Sequence, residues 1–102
     1  MAAATVVVSL AAAACAPSAD GDREAAIARA RDIYQEKKSA GVDLSPGPCI
    51  AEDLLPDWVA DIAHDPRQPV DDLAENQCQS YRQGKARHFV ELDPDGNLIR
   101  AQ

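Results

Sequence analysis

Arg87-His88-Phe89-Val90-Glu91-Leu92-Asp93-Pro94-Asp95-Gly96-Asn97-Leu98-Ile99-Arg100 is the stretch that decides the fold. Two runs rich in β-formers flank Asp93-Pro94-Asp95-Gly96, a dense cluster of turn residues, and together they read as a C-terminal β-hairpin. The turn superficially resembles a calcium loop. An EF-hand, however, places its glycine at the sixth position, whereas Gly96 stands fourth from Asp93, so a hairpin turn is the reading.

A hairpin alone cannot bury a core, so an element to cover it is needed. Residues 22–40 supply one. Ala26, Ile27, Ala30, Ile33 and Tyr34 recur at helical spacing and fall on one face. Asp20 or Asp22 suits the N-cap, Glu24 the positive end of the helix dipole, and Lys37 and Lys38 the negative end. Gly41 is the stop signal.

Between helix and hairpin, Ser45-Pro46-Gly47-Pro48 is a turn, and Cys49 opens a stretch expected to pair briefly before Pro56. Trp58 to His64 alternates as a strand, with Trp58, Ala60, Ile62 and His64 on one face. Trp58 is the expected anchor under the helix. Residues 65–72 form a proline-rich loop, and Leu73 to Gln83 a short polar helix stopped by Gly84. The expected architecture is therefore α+β: one N-terminal amphipathic helix packed on a small antiparallel sheet with a C-terminal hairpin.

The first 14 residues are uncharged and almost wholly apolar, and Cys15 follows them directly. Such a run is too short to span a bilayer, which takes about 20 residues, but it suits a secretory signal. Apolar residues ending in small ones just before a cysteine resemble the lipobox of bacterial lipoproteins. The resemblance implies a diacylglycerol thioether on Cys15, which becomes the new N-terminus. The pattern departs from that family in having no Lys or Arg after Met1 and in having Ala12 where Leu is usual. Secretion with cleavage near Ala14 or Ala16, and an Ala-rich helix of a cytosolic protein, are the alternatives. The expected organisation is signal peptide 1–14, flexible tether 15–21 and one domain over 22–102.

Beyond residue 14 the chain keeps its formal charge of -7, and 16 of those 88 residues, about 18%, are Ile, Val, Leu or Phe. So small an apolar share calls for a covalent staple. With Cys15 taken by lipid, Cys49 and Cys78 remain, and in an oxidising compartment a disulfide between them is expected. The acidic balance excludes nucleic acid as a partner and makes the lipid, not the protein surface, the route to the membrane.

No catalytic motif, phosphate loop or nucleophile elbow is present. His64 and His88, the only histidines, can form a two-histidine, one-carboxylate metal site with Asp61, Asp65 or Glu91 if their strands are neighbours. Otherwise they are strand-end residues bonded to backbone or carboxylate. His64, Arg67 and Gln68, beside the prolines, are a candidate recognition loop; equally, Arg67 pins the loop to a carboxylate.

Gly47-Pro48-Cys49, Trp58-Val59-Ala60-Asp61-Ile62-Ala63-His64, Pro66-Arg67-Gln68, Glu75-Asn76-Gln77-Cys78 and His88-Phe89-Val90-Glu91-Leu92 together are similar to a type of small prokaryotic exported protein. The resemblance implies one domain holding both later cysteines and implies no activity. The leading expectation is a lipid-anchored or secreted cell-envelope protein that binds a protein or envelope partner without catalysis or cofactor. A metal-dependent enzyme using His64 and His88, and a purely structural envelope protein, are the alternatives.

Overall fold

The computed structural model describes Ala3 and residues 19–102; the rest of the leader, Cys15 and residues 16–18 lie outside the described residues. Helix α1 runs Ala19–Ser39, starting within the segment expected as a tether. Its buried stripe is Ala26, Ile27, Ala30 and Tyr34, with Ile33 packed at the margin. The helix ends in a Schellman arrangement: Val42 N–H donates to Lys37 O and Gly41 N–H to Lys38 O, with Gly41 at φ 77°.

The stripe covers one face of a four-stranded sheet ordered β1 (Cys49–Leu55), β2 (Trp58–Ile62), β3 (His88–Leu92) and β4 (Leu98–Ala101). Ile50, Leu54, Trp58, Ala60, Ile62, Val90, Leu92 and Ala101 join the helix in the main core. Trp58 is buried in that core, as its position suggested. The α+β class, the helix on a sheet, the C-terminal hairpin and the staple all stand in the structure.

Two features differ from expectation. The sheet is mixed, because β2 and β3 run parallel, in register from Trp58↔His88 to Ile62↔Leu92, while β1–β2 and β3–β4 are antiparallel. Residues 63–87 are long enough for the crossover that a parallel pair requires. The polar helix expected over residues 73–83 is also broken. It resolves into 3₁₀ turns at Pro69–Asp72 and Ala74–Asn76, then the single turn α2 (Gln79–Arg82).

That crossover lies over the second face of the sheet. Cys49 at the start of β1 and Cys78 at the N-cap of α2 form a disulfide, with Cα atoms 5.0 Å apart. Glu52 on β1 completes the attachment. Its carboxylate accepts the backbone N–H groups of Gln79 (2.6 Å) and Ser80 (2.8 Å) and the Ser80 hydroxyl (2.8 Å). Orphan donors of a helix start are therefore satisfied from a strand. Val59, Cys78 and Ala86 form a small second core, flanked by Cys49 and Phe89.

Candidate binding cleft

The crossover covers only part of the second face and leaves a cleft of about 260 Å³ beside it. Alternation along the strands dictates what lines its floor. Residues beside the core positions of β2 and β3 point the other way, so Val59, Asp61, Phe89 and Glu91 face the cleft, with Asp61 paired to Glu91 in the parallel ladder. Arg100, opposite Glu91 on β4, joins them. Arg67, Gln77, Cys78 and Tyr81 come from the crossover.

Glu91 is 4% exposed, and a buried carboxylate needs partners. Arg100 Nε donates to its Oε1 at 2.7 Å and Arg67 Nη1 to its Oε2 at 3.2 Å. Arg67 also donates through Nε to Asp72 and through Nη2 to the Asp71 carbonyl. The guanidinium of Arg100 lies over the Phe89 ring, 5.3 Å from its centroid, and Phe89 meets Tyr81 edge-on at 5.3 Å. One wall of the cleft is thus a cation on an aromatic pair.

Asp61 is the exception to this satisfaction. Its Oδ1 is buried and has no hydrogen-bond partner. Burial first, and the Glu91 charge second, raise its pKa to about 8 against the opposing pull of Arg67 and Arg100. At neutral pH the Asp61 carboxyl keeps its proton and is a hydrogen-bond donor.

His64 and Gln68 belong to the scaffold of this site. Asp71, 3% exposed, accepts the backbone N–H groups of His64 (3.1 Å) and Gln68 (2.8 Å), and its Oδ1 lies 2.9 Å from His64 Nδ1. Burial acts to raise the Asp71 pKa, but those two N–H groups and the His64 ring outweigh it and hold the carboxyl below its usual range. Of the three expected recognition-loop residues, Arg67 alone lines the cleft.

The two histidines do not converge. His88 pairs with Trp58 at one end of the parallel ladder and stacks on its ring at 4.8 Å, 3.6 Å from Asp57. His64 lies two residues past Ile62, at the other end. Four residue steps of strand, on the order of 13 Å, separate the two ends. Of the carboxylates weighed as their partners, Glu91 is taken by Arg67 and Arg100, and Asp61 stands opposite Glu91 in the ladder. Arg100 and Tyr81 had no signal of their own in the sequence, because only register brings them to Glu91 and Phe89. The one grouping with metal-ligand proximity among the described residues, Cys49, Glu52 and Cys78, has both sulfurs committed to the disulfide and its carboxylate to α2.

No protein family matches the chain, nor does any curated protein sequence or solved structure. The disulfide points to an oxidising environment outside the cytosol. Among the described residues no helix is long and apolar enough to cross a membrane.

Proposed function

We propose that this chain is an exported, non-enzymatic binding protein of the cell envelope, tethered through lipid on Cys15, that holds its ligand in the cleft between the sheet and the crossover. The observation that carries the reading is the buried, unpartnered Asp61 Oδ1 in an open, aromatic-walled cleft. An orphaned buried polar atom costs about 1–3 kcal/mol, and the carboxyl that bears it lines the cleft, where its other oxygen can meet a ligand. A purely structural role asks for no such atom, and a metal or reaction shared by His64 and His88 has no common site to occupy. The export half of the reading rests on the apolar leader and the disulfide.

A fragment screen by protein-observed NMR on the processed protein tests the binding half. Hits whose shifts cluster on Val59, Asp61, Tyr81, Phe89 and Arg100 support it, and a chemically diverse set with no hit there contradicts it. Intact-mass measurement of protein from its native membrane tests the other half. Loss of residues 1–14 with acyl mass on Cys15 supports the tether, and an unmodified chain starting at Met1 contradicts it.

A further inference from the structure

The cleft contains donors without acceptors. Both carboxylate oxygens of Glu91 are taken by arginines. Arg100 spends its Nε on that bond, and its two Nη groups have no hydrogen-bond partner among the described residues, while its side chain is 52% exposed. Beside it stands the Asp61 carboxyl, whose buried oxygen is unpaired. We propose that the cleft recognises the carboxylate of a small organic acid with a planar apolar body, the carboxylate docking between the free edge of Arg100 and the Asp61 carboxyl, the body against Phe89 and Tyr81. This inference rests on the cleft being the binding site, as argued above.

Three lines of chemistry converge on that ligand class. A guanidinium presents paired N–H groups that match a carboxylate in two parallel bonds. The Asp61 carboxyl, protonated at neutral pH through burial and the Glu91 charge, adds a neutral donor that an incoming anion does not repel. The edge-on Tyr81–Phe89 pair offers the apolar surface. The volume of about 260 Å³ suits a small ligand better than a folded partner.

The charged surroundings of Asp61 fix the pH behaviour. Glu91 faces it from β3, Arg100 from β4, and Arg67 and Asp71 from the crossover loop. Tyr81 of α2 lines the same cleft, and Cys49, its neighbour on β1, is held in the disulfide. Asp71 is already spent on His64 and Gln68, and Glu91 on the arginines. Loss of the Asp61 proton therefore turns a donor into an unpaired anion pointing at the bound carboxylate, and binding weakens above about pH 8.

The test uses 3-phenylpropionate, 3-phenylpropanamide and 3-phenylpropylamine, three probes with one body and different head groups, titrated into the processed, disulfide-bonded protein and followed by NMR. The expected result is saturable binding of the propionate, with shifts on Asp61, Phe89 and Arg100, at least tenfold tighter than the amide and the amine. Binding should weaken at least tenfold in Arg100→Gln and several-fold in the native protein between pH 6.5 and 9.5. The pH series needs no variant, so a poorly folded Arg100→Gln leaves the test intact. An acetylated tripeptide ending in Phe that binds tighter than the propionate would overturn the free acid as the source while keeping carboxylate recognition. Amide or amine binding as tightly at the same residues overturns the carboxylate and leaves the cleft standing. No probe shifting the cleft residues overturns both.

Discussion

Asp61 and Glu91 stand opposite one another in the parallel ladder of β2 and β3, on the face turned away from α1, and only Glu91 is given cationic partners. Two acids side by side on a partly covered face are expensive. The structure meets the cost by setting Glu91 between two arginines and leaving Asp61 protonated.

That division makes the contribution of Asp61 to stability fall as pH rises. In the folded protein Asp61 holds its proton up to about pH 8, whereas in the unfolded chain it releases it near the ordinary 3.8. Between those values the folded state holds this proton and the unfolded chain does not, so the contribution of Asp61 to stability is greatest below the ordinary carboxylate range and declines as pH rises toward about 8. Asp61→Asn removes the titration. Denaturant unfolding of both proteins should show the variant gaining on the native chain by a few kcal/mol between pH 5 and 9; a pH-independent difference would contradict this account.

The cysteine staple should dominate thermal stability. Closing the loop between Cys49 and Cys78, 29 positions apart, contributes roughly 3.5 kcal/mol in the chain-entropy description. For a domain of this size that corresponds to a loss on the order of 15–25 °C in Tm on reduction or in Cys78→Ser. Scanning calorimetry with and without reductant checks it, and equal melting temperatures would refute it.

Gly47 is fixed by its neighbour. It adopts φ 76°, and a Cβ there would meet Asp71 Oδ1 at 2.5 Å and the Ile62 carbonyl at 3.0 Å. Gly47→Ala should therefore cost about 1–3 kcal/mol and disturb the loop that Asp71 ties together. The Asp71→Ala double mutant should recover part of the Gly47→Ala loss, since the side-chain clash then vanishes. Strict additivity in urea melts would argue against the contact.

Tyr34 ties helix to hairpin. Its hydroxyl donates to the Pro94 carbonyl at 2.8 Å, and its ring lies where a Cβ on Gly96 would stand, at 2.6 Å. Tyr34→Phe should cost about 1 kcal/mol, and Gly96→Ala more, because φ there is 87° and the ring must also move. Denaturation midpoints that rank Tyr34→Phe as the costlier change would contradict this packing.

The residues that were legible in sequence act locally. Ala26, Ile27, Ala30 and Tyr34 announce their face by spacing alone, and Asp93 holds its turn with its own oxygens, accepting the N–H groups of Asp95 and Asn97. The Cys49–Cys78 pair was legible as the remainder after Cys15. The parallel β2–β3 pairing was not, because nothing local to Trp58 or His88 records which way a distant strand runs. The cleft inherits that difficulty. Asp61, Glu91 and Arg100 are ordinary charged residues until register places them on one face, and the Asp61 pKa comes from what covers it.

The account turns on Asp61 being a neutral, unpaired acid in an open cleft. Its carboxyl ¹³C shift, followed by NMR across pH in the disulfide-bonded protein, measures this most directly. An inflection near 8, moving down in Glu91→Gln as the neighbouring charge is removed, is the predicted result. An inflection near 4 that ignores Glu91→Gln would contradict it.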